Sequence, residues 1–250
     1  MTDEIVIKVE NVSAGYEEPV LVNINFSVRR GEIFVILGGS GCGKSTLLKH
    51  MAGLTPPLAG EIRLMGDPVS GGNAADRARA LRHFGMAYQS GALFGSMTLL
   101  ENVSLPIESF TALPRAARLL LAEMKLDLVG LKEYASFFPA EISGGMKKRA
   151  AIARAMALDP EILFLDEPSA GLDPVTSAGL DRLILRIRDL QGVTVVMVTH
   201  ELDSIFAVAD RCVMLDQKSR GMLAEGRPAD LRDRPPCAAV RAFFNREGGD

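Results

Sequence analysis

This 250-residue chain has no long hydrophobic run. Its longest apolar stretches, such as residues 193–198, have the length of a β-strand. A helix that crosses a membrane needs about 20 consecutive apolar residues, so the sequence predicts that no segment of this chain spans a membrane.

Cysteine is also scarce. The three cysteines, Cys42, Cys212 and Cys237, are odd in number and do not have the spacing of metal ligands, so neither a disulfide framework nor a metal site is predicted. The first residues, Met-Thr-Asp-Glu, do not resemble a signal segment. We therefore expect the chain to work in a reducing, cytosolic compartment.

Neither sign of charge dominates. The chain has 28 Lys and Arg against 31 Asp and Glu, and its formal net charge is −3. This balance gives no general attraction to nucleic acid or to an anionic membrane surface. No basic groove stands out in the sequence either, so we expect no nucleic-acid partner. Hydrophobic residues make up 48% of the chain, which is enough for a large core.

Strand and helix patterns alternate along most of the sequence. The first 35 residues alternate as strands do, and further strands are predicted at 32–37, 60–66, 84–89, 161–168, 193–200 and 211–217. Amphipathic helix patterns separate the later strands. Strands separated by helices predict a mostly parallel sheet that is covered on both faces.

A helical stretch interrupts this pattern from about residue 90 to residue 158. It is broken by prolines and contains no convincing strand. We therefore expect an α/β core made of residues 1–89 and 159–230, with an inserted α-helical subdomain at about 90–158. The tail at 231–250 contains a short apolar helix candidate, followed by polar residues.

A glycine-rich loop follows the strand at 32–37 and opens a helix. Its sequence, GGSGCGKST, matches the phosphate-loop pattern, in which backbone N–H groups and a helix N-terminus surround phosphates. We expect Lys44 to reach the β- and γ-phosphates and the Ser45 hydroxyl to bind Mg²⁺. The predicted nucleotide-binding residues of the loop are Gly38, Gly39, Ser40, Gly41, Cys42, Gly43, Lys44, Ser45 and Thr46. The alternative is a glycine-rich turn with a surface lysine.

Two acidic residues end the apolar strand ILFLDE at 162–167. We expect Asp166 to bind Mg²⁺ through water and Glu167 to orient or deprotonate the attacking water. A strand that ends in two acids is by itself common, and a solvated strand end is then the simpler interpretation. The phosphate loop elsewhere in the chain favours the catalytic interpretation.

A second potential phosphate grip begins at Ser143, Gly144 and Gly145. Serine can cap a helix, and the free N–H groups that follow can meet an anion. The same residues also fit an ordinary N-capped helix. The basic residues that follow, Lys147, Lys148 and Arg149, are predicted to form the solvated face of this helix.

In this order, the motifs resemble those of the ABC ATPases over nearly all of residues 4–230. They are GGSGCGKST, then Gln89, then ISGGM at 142–146, then ILFLDEPSAGLD at 162–173, and finally His200. The resemblance implies a single α/β ABC ATPase domain at 1–230. It would have a P-loop NTPase (RecA-like) core with a mostly parallel sheet, an N-terminal antiparallel β subdomain and the inserted helical subdomain. ATP and Mg²⁺ are the implied cofactors.

The resemblance also explains why one chain would have two phosphate grips. It implies a homodimer of ATPase subunits paired head to tail. Each ATP would then lie between the phosphate loop of one chain and the Ser143 segment of the other. Other roles that it implies are adenine stacking by Tyr16, sensing of Mg²⁺ and attacking water by Gln89, contact with the opposite subunit by Asp173, and γ-phosphate contact by His200.

Three further features resemble the Mla-type branch of this family. They are Met146, which stands where most ABC importers have glutamine, the segment QSGALFGSMTLLENVSLP at 89–106, and VRAFFN at 240–245. The branch implies phospholipid transport between inner and outer membranes, on the cytoplasmic face of the inner membrane. Its partners would be an MlaE-like permease, an MCE-domain (MlaD-like) protein and a STAS-domain (MlaB-like) protein. The tail would reach the neighbouring ATPase subunit.

The apolar composition of residues 90–107 predicts the cleft where the permease docks. Leu93, Phe94, Leu99 and Leu100 could instead form the core of the helical subdomain. Two other functions stay open, namely an importer of amino acids or another small solute, and a non-transport ABC ATPase. The second is disfavoured because the chain has a single cassette and no long insertion between Gln89 and Ser143.

Overall fold

A computed structural model describes residues 4–70 and 73–246 of the chain. These residues contain ten strands: β1 (Ile5–Gly15), β2 (Pro19–Arg29), β3 (Ile33–Gly38), β4 (Ala59–Leu64), β5 (Asp67–Pro68), β6 (Phe84–Ala87), β7 (Ile162–Asp166), β8 (Thr194–Val198), β9 (Arg211–Asp216) and β10 (Gly221–Gly226). They also contain nine α-helices: α1 (Lys44–Met51), α2 (Ala74–Ala80), α3 (Leu99–Phe110), α4 (Arg115–Leu128), α5 (Gly144–Ala155), α6 (Pro174–Gln191), α7 (Leu202–Val208), α8 (Pro228–Asp233) and α9 (Ala238–Asn245).

The strands form two sheets. A four-stranded antiparallel sheet has the order β2-β1-β4-β5, and a six-stranded sheet has the order β10-β9-β3-β8-β7-β6. All neighbours in the second sheet run parallel except β9 and β10. The predicted α/β class is therefore confirmed, with its mostly parallel sheet and N-terminal antiparallel sheet.

Strand β3 shows why the parallel strands are continuously apolar. Its alternate residues Ile33, Val35 and Leu37 belong to one hydrophobic cluster, which includes residues of α5 and α6. Phe34 and Ile36 belong to a second cluster, shared with the N-terminal sheet and α1. Because both faces are buried, every position from 33 to 37 is apolar and none is solvent-exposed. Strand β3 is thus fixed between two hydrophobic clusters, and the phosphate loop follows directly from its end.

The chain between β6 and β7 is helical and contains no strand, as predicted. A capping box starts α3, in which the Thr98 hydroxyl accepts from the Glu101 N–H and the Glu101 carboxylate accepts from the Thr98 N–H. At its C-terminal end α5 touches the core directly. A Cβ on Gly85 of β6 would lie 1.9 Å from the Ala155 carbonyl oxygen, so only glycine allows this approach.

The predicted tail helix is present as α9 and packs on its own chain. Val240 and Phe244 are buried, and the Phe244 ring centroid lies 5.8 Å from that of Phe206. An ion pair of 2.9 Å joins Arg246 to Asp203. Contact of the tail with a neighbouring subunit stays a prediction. Within 4–70 and 73–246, no helix has both the length and the apolar character to traverse a bilayer.

Candidate functional site

The phosphate loop depends on glycines at its two ends. Gly38 ends β3 at φ 149°, and a Cβ there would lie 2.5 Å from the Leu215 carbonyl oxygen and 2.7 Å from Cys42 Sγ. Gly43 precedes α1 at φ 97°, in the left-handed region that favours glycine. The close approach at Gly38 and the left-handed backbone at Gly43 explain why the motif has glycine at these two positions.

Lys44 lies over this loop. Its ammonium donates hydrogen bonds to the carbonyl oxygens of Gly38, at 2.9 Å, and of Gly39, at 3.0 Å. The residue is only 8% exposed. The contacts of this ammonium are with neutral carbonyl oxygens at the loop where phosphates are predicted to bind.

Of the three residues predicted to hold the metal, Ser45, Gln89 and Asp166, the first and last meet at the loop. Ser45 Oγ donates to Asp166 Oδ1 at 2.9 Å, which brings the start of α1 to the carboxyl end of β7. Hydroxyl and carboxylate oxygens are the ligands that Mg²⁺ prefers, usually one or two together with phosphate oxygens and water. Among residues 4–70 and 73–246, no group of three or more His, Cys, Asp or Glu side chains could hold a metal. Ser45 and Asp166 offer one hydroxyl and one carboxylate oxygen, a partial ligand set of this kind.

Glu167 and His200 also meet, as the sequence predicts for residues of one site. Glu167 Oε1 lies 2.9 Å from His200 Nδ1, while Glu167 Oε2 is buried and has no hydrogen-bond partner in the described part of the chain. The backbone of Glu167 is left-handed at φ 46°, and its N–H donates to the Val198 carbonyl oxygen at 2.9 Å. A buried acceptor without a partner and a strained backbone mark functional sites.

Lys44, Ser45, Glu167 and His200 line one cavity of about 700 Å³. It contains most of the phosphate loop together with Gln89, Glu167 and His200. Two further lining residues were missed in the sequence, Val20 of β2 and Phe243 of α9. Only the three-dimensional packing of β2 and of the tail places them in this cavity, because the sequence pattern assigned neither residue to the nucleotide site.

Tyr16 lies in the turn after β1 and is 57% exposed. It is not among the residues that line this cavity. Its predicted stacking on adenine stays a prediction.

The second phosphate grip lies outside this cavity. Ser143 caps α5, and its Oγ accepts from the Met146 N–H at 3.3 Å. A Cβ on Gly145 would lie 2.6 Å from Thr176 Cγ2, so this glycine allows α5 to approach α6 closely. Met146 packs against the hydrophobic core. Ser143 and Gly144 are exposed, as a surface that meets another molecule must be.

Asp173 has a local role that the sequence analysis did not assign. It caps α6, and its Oδ1 accepts from the N–H groups of Val175 and Thr176, both at 3.0 Å. The Thr176 hydroxyl and these backbone donors lower the pKa of the Asp173 carboxyl. Contact of Asp173 with an opposite subunit stays a prediction.

The prediction that Lys147, Lys148 and Arg149 form a solvated face is wrong for two of them. Lys148 donates to the backbone carbonyl oxygens of Gln89 and, at 3.1 Å, of Glu167. Arg149 Nη1 donates to the Val129 carbonyl oxygen at 3.1 Å. Burial lowers the pKa of Lys148, and nearby carboxylates oppose that shift. Charge alone misled the prediction, because long cationic side chains can reach carbonyls across a cleft.

The predicted docking segment divides between core and surface. Leu99 is fully buried, and Leu93 and Leu100 pack against the core, so the core interpretation holds for these three. Phe94 is 50% exposed. A cleft of about 620 Å³ between α3 and α4 is lined in part by Met97, Glu101 and Arg118.

Comparison with known proteins agrees with this geometry. The family model described as ABC transporter matches residues 21–170. The intermembrane phospholipid transport ATP-binding protein MlaF of Haemophilus influenzae is 37% identical over 97% of this chain and 92% of its own length. The methionine import ATP-binding protein MetN of Brucella abortus is 36% identical over 91% of this chain, but over only 61% of its own length.

Solved structures give the same result. The dimeric ATP-binding cassette MJ0796 bound to ADP and Pi has a TM-score of 0.79 and 30% identity, covering 88% of this chain and 98% of that cassette. The cbiO1 protein of Clostridium perfringens, part of an ABC transporter complex, has a TM-score of 0.81 and 25% identity, covering 98% and 100%. By motif order, fold and site geometry, the chain belongs to the ABC transporter family as an ATP-binding subunit that hydrolyses ATP.

Proposed function

We propose that this chain powers phospholipid transport between inner and outer membranes, bound to an MlaE-like permease on the cytoplasmic face of the inner membrane. MlaF proteins of two species, 37% and 38% identical to this chain, support the proposal. They match it over 92% and 82% of their own lengths. An MCE-domain (MlaD-like) protein and a STAS-domain (MlaB-like) protein complete the proposed complex.

The single observation that carries the chemistry is the pairing of Glu167 with His200 beside the phosphate loop. In the proposed mechanism Lys44 neutralises the β- and γ-phosphates, and Glu167 accepts a proton from the attacking water through its unpartnered Oε2. His200 holds the other oxygen of Glu167 and contacts the γ-phosphate. The exposed His200 side chain and the buried Glu167 side chain suit these two positions.

Ser45 and Asp166, with Gln89 beside them, are the residues proposed to hold Mg²⁺. When it is bound, Mg²⁺ neutralises phosphate charge as the γ-phosphoryl group leaves. Gln89 is suited to respond to this ion because it follows β6 and lines the same cavity as Ser45.

We further propose that the active form is a head-to-tail homodimer. The Ser143 segment lies outside the cavity of its own chain and presents an exposed helix N-terminus. A second copy can therefore bring this segment to the phosphate loop of the first. Two ATP molecules held in this way would close the dimer, and hydrolysis would release it.

A second candidate function, import of methionine or another small solute, is favoured by one observation. MetN of Brucella abortus is 36% identical to this chain, nearly as similar as MlaF. The ATPase chemistry would be the same, and only the membrane partner would differ.

The deciding experiment is purification of the chain with its native membrane partner, followed by mass spectrometry of the bound proteins and lipids. We expect a permease, an MCE-domain protein and copurified phospholipid. The Phe94→Ser variant is expected to lose the permease, while Phe110→Ser, at an exposed residue at the end of α3, serves as the matched control. A solute-binding protein in place of the MCE-domain protein would refute lipid transport.

A further inference from the structure

Lys148 joins two segments that are distant in sequence. From α5 its ammonium donates to the carbonyl oxygen of Gln89, which is 59 residues away, and at 3.1 Å to that of Glu167, which is 19 residues away. One segment follows β6 and the other follows β7, the neighbouring strand. The bridge therefore holds together the ends of two parallel strands, from the helix that also carries the second phosphate grip.

Lys148 contacts Glu167 at a position where the backbone is strained. Glu167 has a left-handed backbone at φ 46°, which a residue with a side chain adopts only when its surroundings hold it. Its N–H is held by Val198, and its carbonyl oxygen accepts from both the Ala170 N–H, at 3.2 Å, and Lys148. Lys148 thus supplies the single side-chain donor to this carbonyl within the described residues.

The electrostatics favour the same arrangement. Lys148 is partly buried, and desolvation lowers its pKa. The carboxylates of Glu167, Asp166 and Glu201 surround it closely enough to oppose that shift.

A second cation of α5 anchors the same segment. Arg154 donates to the carbonyl oxygens of Ala92, at 2.7 Å, and Gly91, at 3.0 Å. Both acceptor residues have positive φ, 45° and 74°. Through Lys148 and Arg154, α5 therefore contacts the backbone of residues 89, 91 and 92, and Lys148 also contacts that of Glu167.

We propose that Lys148 is a positioning residue of the ATPase, which sets Glu167 and Gln89 in register with each other and with α5. Movement of α5 on meeting a second subunit is then passed directly to the carboxylate that activates water. This inference rests on the catalytic role proposed for Glu167. It assigns to Lys148 a function in turnover and none in ATP binding.

The test compares Lys148→Met with Lys148→Arg in the full-length protein. We expect Lys148→Met to lower kcat about tenfold while KM for ATP stays within about twofold, because positioning is used in the transition state. Lys148→Arg keeps the positive charge and N–H donors for both carbonyl oxygens, so it is expected to retain most of the wild-type kcat. Affinity for a fluorescent ATP analogue should stay unchanged in both.

Lys147→Met is the matched control. It removes the same charge from the same helix, and Lys147 makes no side-chain hydrogen bond within residues 4–70 and 73–246. An equal fall of kcat in both lysine variants would assign the effect to charge alone and overturn the proposal. If Lys148→Met fails to fold, Lys148→Gln is measured in its place under the same criteria.

A double-mutant cycle with Glu167→Gln separates the possible failures. In the Glu167→Gln background we expect Lys148→Met to lower kcat by less than about twofold. The reason is that the effects of two residues that act as a unit are not additive. Additive losses would overturn the positioning role. If Glu167→Gln is inactive and Lys148→Met has normal turnover, the positioning role of Lys148 is refuted and the catalytic role of Glu167 is not. A fully active Glu167→Gln would refute the proposed catalytic residue as well.

Discussion

Ser45 Oγ donates to Asp166 Oδ1 at 2.9 Å, across 121 positions of sequence. This contact joins the end of the phosphate loop to the end of a strand that enters the sheet much later in the chain. The geometry of the proposed Mg²⁺ site therefore depends on the sheet, because the strand order β3-β8-β7 separates the two elements that carry these oxygens.

Loss of the contact between Ser45 and Asp166 should weaken Mg²⁺-dependent hydrolysis and leave nucleotide binding by the phosphate loop intact. We expect Asp166→Asn to lower ATPase turnover at least about a hundredfold, since metal positioning carries much of phosphoryl transfer. Nucleotide binding measured in EDTA should change little. Titration of activity against Mg²⁺ checks the prediction. Asp216→Asn, which removes a carboxylate that bonds to Ser219 at the end of β9, is the control.

Glu167→Gln should retain ATP affinity and lose most turnover. The amide keeps the shape of the side chain but cannot accept the proton of the attacking water at neutral pH. We expect ATP with Mg²⁺ to trap a closed dimer of this variant, seen as an earlier peak in size-exclusion chromatography. Undiminished hydrolysis would dismiss Glu167 as the catalytic carboxylate.

Shared sites predict complementation between two inactive variants. Ser143→Arg is expected to abolish hydrolysis yet leave nucleotide binding by the isolated subunit intact, and Lys44→Ala is expected to lose both. In a mixed dimer, one site combines the intact Lys44 of one subunit with the intact Ser143 of the other. Mixing the two proteins should therefore restore part of the activity. A mixture as inactive as its components would argue against head-to-tail pairing.

The contact between α5 and α6 should be sensitive to a single methyl group. Gly145→Ala places a Cβ about 2.6 Å from Thr176 Cγ2. Overpacking of this kind costs about 1–3 kcal/mol, so the melting temperature should fall. Thr176→Ser removes Cγ2 and keeps the hydroxyl that bonds to Asp173. The double variant should therefore recover most of the stability, and equal melting temperatures for Gly145→Ala and wild type would contradict the contact.

The three cysteines should differ sharply in reactivity. Cys237 is exposed, while Cys42 and Cys212 are buried. Burial raises the pKa of both buried thiols, that of Cys212 to about 12. We expect one thiol per chain to react with a maleimide in the native protein at neutral pH and three after unfolding. Cys237→Ser should show none before unfolding.

The raised pKa of Cys212 also makes the free energy of unfolding depend on pH in the alkaline range. An unfolded thiol ionises from its ordinary value of 9.0, while the folded thiol keeps its proton to about 12. Between these values the folded state binds more protons, so the free energy of unfolding falls as pH rises. Cys212→Ala should flatten this alkaline limb of a pH–stability curve relative to wild type.

The motifs of the sequence allowed much of the site to be predicted. Ser45, Asp166, Glu167 and His200 lie together because each ends or follows an apolar strand of one parallel sheet, and such strand ends meet at one edge.

Features set by packing could not be read in the same way. Strand β10 was missed because its six residues are only partly buried at the edge of the sheet and lack strong alternation. Phe243 enters the cavity only through the fold of the tail. Lys148 looked like a surface residue because its partners are backbone carbonyls, which leave no trace in a side-chain pattern.

Gly85 gives the helical insertion a rigid link to the sheet. Because β6 and the end of α5 touch backbone to backbone at this residue, no compressible side-chain layer separates them. A tilt of the helix must therefore shift the strand almost one for one, and Gln89 lies just beyond that strand. We therefore expect a displacement of the helical insertion to reach Gln89, which lines the same cavity as the phosphate loop.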